Sequence, residues 1–148
     1  MACCTFFGHS ELHFENPCDK LAIILNELIS QYEVDTFYVG NQGDFDRIVL
    51  KELRKLKLRF PQIRYSVVLA YHPSVCKFSD SLEAEETVFP EELENVSPRY
   101  SIAKRNEWML TKSQYAVVFV KYPTGGADKY KRKAESKGLT VINIADTG

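Results

Sequence analysis

Three short stretches carry residue types that can hold an anion. One is Thr124-Gly125-Gly126-Ala127, just beyond the apolar run Val117 to Val120. Glycines let a ligand approach the backbone, and a helix starting after them offers orphan N–H donors and partial positive charge. A polar, helix-compatible segment, Asp128 to Lys137, does follow. The second stretch is Gly40-Asn41-Gln42-Gly43, with Asp44 and Asp46 beyond it. The third is Gly8-His9-Ser10, at the end of the apolar segment Cys3 to Phe7. A single Gly-Gly pair is as well explained by a tight turn. Three glycine loops, each after a strand-like run, make a nucleotide or phosphorylated ligand the leading class.

The polar side chains each have two readings. His9 can hydrogen-bond a phosphate or a base, or be a loop histidine with no ligand. Arg105 can clamp a phosphate or carboxylate through two parallel bonds, or lie exposed on its helix. Asp46 can accept from ribose hydroxyls, or serve the first turn of its own helix, where a carboxylate is favoured; the second is preferred. Trp108 is read as core rather than stacking platform, because Ile102 and Met109 share its helix. Lys129, Lys131, Arg132 and Lys133 either add positive potential near the last glycine loop or are solvated.

These residues need a scaffold that brings the loops together. Strands are expected at Cys3 to Phe7, Thr36 to Val39, Tyr65 to Tyr71, Val117 to Val120 and Leu139 to Ile144, all short and rich in aliphatic or aromatic residues. Helices are expected between them. The first starts at Asn16-Pro17 and carries Leu21, Ile24, Leu25 and Leu28 at helical spacing. The second has Asp44 as N-cap and runs to about Phe60, with Phe45, Val49, Leu53, Leu56 and Phe60 on one stripe. Its basic residues are read as a solvated face rather than a nucleic-acid surface. The third covers Tyr100 to Thr111, and the fourth ends before Gly138. Between His72 and Pro98 the periodicity fails, and prolines and acidic residues dominate. An irregular excursion is expected there, with at most a helical turn, acting either as a lid or as an acidic loop without a role.

Alternating short strands and helices predict an α/β fold, a Rossmann-like three-layer sandwich around a mostly parallel sheet of at least five strands. One domain, 1–148, accommodates all of it. Strands 36–39, 4–7 and 116–120 should be neighbours, so that the three loops converge at the carboxyl edge of the sheet. Composition narrows the partners. Of the 148 residues 26% are charged, yet the net charge is −1, so nothing draws the chain toward nucleic acid as a whole. No apolar run approaches the ~20 residues of a membrane span. The opening MACCTFF has no basic lead, so a cytoplasmic location with reduced thiols is expected. Cys3, Cys4, Cys18 and Cys76 lack zinc-site spacing, and no metal is expected.

FFGH in the first strand, GNQGDFD after the second, RNEWM in the third helix and FVKYPTGGA around the last glycine loop resemble the SLOG superfamily. That group includes the Lonely Guy phosphoribohydrolases, the DNA-processing protein DprA and the YpsA-like proteins. The resemblance spans most of the chain outside 72–98. It implies that Gly40, Gly43 and Asp46 stand in the family's early glycine-acid pattern. Arg105 and Met109 match the Arg-Lys-x-x-Met motif, with Asn106 in place of the lysine. Thr124-Gly125-Gly126 matches the Pro-Gly-Gly of the phosphate-binding turn. Two departures bear on activity. The Lonely Guy signature continues Gly-Gly-x-Gly-Thr-x-x-Glu, whereas here its last glycine and threonine are absent and Arg132 stands at the catalytic glutamate. Ser10 replaces the arginine common in the first loop of YpsA-like relatives.

The resemblance therefore implies a protein that binds a nucleotide or nucleotide-derived signal, NAD-like or ADP-ribose-like, as a sensor or sequestering protein. Its ligand set would be Gly8, His9, Ser10, Gly40, Asn41, Gly43, Asp46, Arg105, Thr124, Gly125, Gly126 and Ala127, with no cofactor beyond the ligand itself. The rival is an N-glycoside hydrolase acting on a nucleoside 5′-monophosphate, with Glu107 beside Arg105, or Asp46, as acid or base. A DprA-like nucleic-acid role is disfavoured by the charge balance. Further copies of the chain remain open as partners.

Overall fold

The computed structural model describes residues 2–12, 16–74 and 83–145. Among the described residues there are six strands and four α-helices, with an α-helix between successive strands except β3 and β4: β1 (Ala2–Gly8), α1 (Cys18–Gln31), β2 (Val34–Val39), α2 (Asp44–Arg59), β3 (Arg64–Val68), β4 (Thr87–Val88), α3 (Ser101–Lys112), β5 (Tyr115–Phe119), α4 (Gly125–Ser136) and β6 (Thr140–Asn143). The sheet runs β4-β3-β2-β1-β5-β6, and every pairing is parallel. The expected neighbours are neighbours: β1 lies between β2, with Cys4 opposite Phe37, and β5, with Phe6 opposite Val117.

Each face of the sheet has its own apolar layer. On one side α1 contributes Leu21, Leu25 and Leu28, and α2 contributes Phe45, Val49, Leu53 and Leu56, packed on Phe6, Phe37 and Val117. On the other, Met109 and Leu110 of α3 and Tyr130 and Ala134 of α4 pack on Phe7, Ala116 and Val118. This is the three-layer sandwich expected from the sequence. The chain leaves β1 toward α1 on one face and leaves β5 toward α4 on the other. Two adjacent strand ends thus send their loops apart, and in a parallel sheet that divergence opens a crevice.

Four local expectations change. Asp44 is not the N-cap of α2. Gly43 holds that position at φ 97°, in the region that favours glycine, and Asp44 opens the helix with its carboxylate accepting from Leu12 N–H at 3.1 Å. Gly125 and Gly126 are not a turn ahead of a helix but the first residues of α4 itself, with Thr124 extended at the N-cap. Ile102 is exposed rather than core. The stretch after β3 carries a strand: β4 pairs with β3 through Val67 opposite Thr87, and Leu69 N–H bonds the Val88 carbonyl at 2.8 Å. A two-residue strand has no periodicity to read. Part of the proposed excursion, 75–82 with Cys76 and Asp80, lies outside the described residues. Among the described residues no helix is long and apolar enough to cross a membrane.

Candidate functional site

A cleft of about 430 Å³ opens at the carboxyl edge of the sheet, between the loops that follow β1, β2 and β5. Gly8, His9, Ser10, Gly40, Asp46, Arg105, Gly125, Gly126 and Ala127 line it, as does Gln42. Three residues of the sequence-derived set stand back from it. Asn41 touches it indirectly, accepting from Arg105 Nη1 at 3.4 Å. Thr124 occupies the N-cap position of α4, and Gly43 packs against the first loop.

The glycines divide by what surrounds them. A methyl group on Gly43 would sit 2.5 Å from the Ser10 Cα, and one on Gly40 would sit 2.9 Å from the Arg105 guanidinium carbon. Gly8 is likewise filled by the Phe45 ring, 2.3 Å from such a methyl. These three are glycines because the protein itself occupies the space. Gly125 and Gly126 have nothing within 4 Å of that position. Gly125 still needs glycine for its φ of 91°, but Gly126 has neither a positive φ nor a neighbour. The empty space lies at the first turn of α4, where N–H groups have no intrahelical acceptor. Thr124 makes no side-chain cap.

Arg105 forms the floor. It is 2% exposed, which rules out the solvated-helix reading. Its Nη1 donates to the Val68 carbonyl at 2.9 Å and its Nε to Asn106 Oδ1 at 2.7 Å. Nη2 has no partner among the described residues, and no buried side-chain nitrogen there lacks one, so Nη2 meets the cleft. Burial pulls the Arg105 pKa down, and the nearby Asp46 carboxylate works against that. Asp46 is itself buried, and burial raises its carboxyl to about 6 despite Arg105 and the Gln42 N–H that its Oδ2 accepts at 2.9 Å. Asp46 thus closes the loop ahead of its own helix, the structural role preferred from sequence, while also facing the cleft.

His9 ties two loops together. Its Nε2 accepts Lys121 N–H at 2.8 Å, so the proton of the neutral ring sits on Nδ1. Burial lowers its pKa and so favours that neutral form, and Asp128 offsets the effect in part. The ring lies 5.3 Å from Tyr122, whose side chain is also on the cleft wall.

Three polar contributors escape the sequence reading. Asn106 follows Arg105 and lines the cleft at 8% exposure. Tyr130, buried at 7% and stacked on Phe7 at 5.3 Å, brings its phenol to the same wall. Gln42 lies at the mouth. The spacing Ala127, Tyr130, Ala134 marks an inward face on α4, a signal obscured by the lysines between them. Conversely, Glu107 is outside the cleft. It accepts from Lys133 and lies 3.7 Å from Lys137. Arg132 pairs with Asp128 at 2.9 Å, and Lys131 sits 3.5 Å from Glu135, so the basic run of α4 is largely engaged with α3 and α4 carboxylates. Trp108 is partly buried, edge-on to Tyr38 and donating to Glu92 at 2.8 Å. Among the described residues no group of three or more His, Cys, Asp or Glu could hold a metal.

No protein-family model matches the chain, and no curated protein matches it either.

Proposed function

We propose that this is a SLOG-like module that binds a nucleotide or nucleotide-derived ligand, of the NAD or ADP-ribose kind, as a sensor or sequestering protein. The observation that carries the reading is the pairing of vacant space at Gly125 and Gly126 with the open Nη2 of a buried arginine in one cleft. Backbone donors, helix partial charge and a fixed guanidinium together suit an anionic group. The cleft volume falls within the ~300–1,000 Å³ usual for small-molecule sites. No fast hydrolysis is expected, because Arg132 stands at the family's glutamate and is held by Asp128 outside the cleft.

The hydrolase reading keeps one point in its favour. A carboxyl near 6 in a cleft is a reasonable general acid or base, so Asp46 rather than Glu107 is its candidate. Mass spectrometry of small molecules released from the purified protein, followed by calorimetric titration of AMP and ADP-ribose, tests the binding reading. The informative variant is Gly126→Val. Its backbone angle is open to any residue and its side chain meets nothing, so stability should change by less than about 1 kcal/mol. Binding should weaken at least about tenfold, by steric exclusion. Unchanged affinity in a folded Gly126→Val protein would place the ligand elsewhere. Release of free base at enzyme-like turnover, lost in Asp46→Asn, would promote the hydrolase.

A further inference from the structure

The cleft has a wall that the anion site does not use. Tyr122 lies on it yet remains 58% exposed, the most exposed aromatic residue on the cleft lining. A tyrosine ring exposed on a cleft wall offers an apolar face on which a planar group can stack. Its position is supported from behind. The His9 ring lies 5.3 Å away at a 40° tilt, and His9 is itself fixed by Lys121 N–H and by an edge contact to Phe119 at 6.1 Å. The backbone amide of His9 further bonds the Phe119 carbonyl at 3.3 Å. Two rings from two loops are thus held beside each other, one braced and one available.

We infer that Tyr122, backed by His9, is a stacking shelf for a planar heteroaromatic ring, so that the ligand is an anion bearing such a ring rather than a bare phosphate or sugar phosphate. This rests on the binding role proposed for the cleft. Tyr122 precedes Gly125 by three positions, a reach of at most ~11 Å. That is the scale separating the phosphate from the base in a mononucleotide. His9 Nδ1–H adds one donor beside the shelf, enough to prefer rings that carry an acceptor nitrogen or oxygen. The shelf is a property of this chain's own tyrosine, not of the glycine turn.

The test compares AMP with ribose 5-phosphate and inorganic phosphate on the whole chain, by calorimetry, in the parent, Tyr122→Ala and Tyr122→Phe. Base-on-aromatic stacking gives an expected advantage of AMP over ribose 5-phosphate of roughly 5- to 150-fold in the parent. Tyr122→Ala should remove most of that advantage and leave ribose 5-phosphate binding where it was, while Tyr122→Phe should preserve it. Tyr122 is exposed, so neither variant threatens the fold. Equal affinities for AMP and ribose 5-phosphate in the parent would overturn the shelf and leave the anion site standing. So would an AMP advantage that survives Tyr122→Ala. Absence of binding by all three probes would overturn the anion site, and the shelf with it.

Discussion

Two arginine–carboxylate arrangements flank this sheet, one beside the start of β4 and one in the crevice at the carboxyl edge, and they are built on opposite terms. At the β3–β4 end, Arg54 grips Glu86 with both arms of its fork, Nε to Oε1 at 2.7 Å and Nη2 to Oε2 at 2.6 Å. Tyr65 donates to the same carboxylate at 2.7 Å and Glu83 N–H at 3.2 Å. The Glu86 carboxyl is held down to about 2, chiefly by Arg54, and the Tyr65 phenol is pushed up to about 12 by burial and by Glu86. Every group there is satisfied by another protein group. At the β1–β5 crevice, Arg105 and Asp46 are neighbours whose hydrogen bonds go elsewhere, to Val68, Asn106, Asn41 and Gln42. Asp46 is raised instead of lowered. A saturated cluster fastens one segment to another. A cluster with an open guanidinium nitrogen and a strained carboxyl retains interaction capacity for something outside the chain.

The largest separation between the two should come from Arg105→Ala against Arg54→Ala. Losing Arg105 leaves the Val68 carbonyl and the buried Asp46 without their cation, a change in the ~3–5 kcal/mol class for breaking a buried charged arrangement. It should also cost roughly 10- to 150-fold in affinity for AMP or ADP-ribose, the worth of one charge-assisted bond. Arg105→Lys, which keeps the charge without the fork, should recover stability more than affinity. Arg54→Ala should leave affinity unchanged. Thermal melts and titrations on the same preparations check both. Equal ligand effects at the two arginines would break the distinction between fastening and binding.

Much of this was legible beforehand, and the misses are of one physical kind. Strand positions followed from runs such as VVFV and TFYV, and parallel order followed from helices placed between them. Gly8, Gly40, Gly125, Gly126 and Arg105 converge as the strand-end logic requires. What sequence could not supply was any feature defined only by a distant partner. Thr87-Val88 becomes a strand because β3 has a free edge and Arg54 anchors Glu86 beside it. Tyr130 looks solvated among lysines, yet is buried because Phe7 waits on the sheet below. Gly43 and Gly40 read as ligand glycines, but their missing side chains are replaced by Ser10 and Arg105. A glycine's type says that something approaches closely; only the fold says whether that is protein or ligand.

The next contrast is in pH dependence. Asp46 has its folded carboxyl at about 6, above its ordinary value of 3.8, so between those limits the folded state holds the proton more tightly than the unfolded chain. Stability should therefore fall as pH rises from about 4 to about 6 and level off above that. The net shift, Arg105's attraction for the ionised form included, caps the effect at on the order of 3 kcal/mol. Asp46→Asn should flatten this limb of a denaturant-derived stability profile while leaving the acid limb below pH 4 in place. A profile unchanged by Asp46→Asn would mean that the carboxyl is hydrated in solution and is not the strained member of the pair.

The smallest expected effect belongs to Glu86→Gln, and its sign is opposite. The Glu86 carboxyl is depressed to about 2 in the folded state, so its contribution is present above the ordinary glutamate range near ~4.3 and is lost as pH falls toward 2. Glutamine keeps the shape and one acceptor oxygen but removes the charge that Arg54 and Tyr65 both address. The Arg54 side chain is 32% exposed, and water screens much of the attraction. About 1 kcal/mol of stability at neutral pH is therefore expected to go, well short of the figure for Arg105. The deficit should shrink as pH drops from about 4 to 2, because the parent carboxylate is then protonated and loses the same interaction. Loosening should be local as well. Amides of Leu69 and the β3–β4 pair should exchange faster, since Glu86 fixes the segment that supplies β4, while the Gly125 to Ala127 amides stay as they were. Ligand affinity should not move. If Glu86→Gln weakens AMP binding, the β4 end and the crevice are coupled through β3, whose end carries both the Val68 carbonyl held by Arg105 and the backbone pairing to β4.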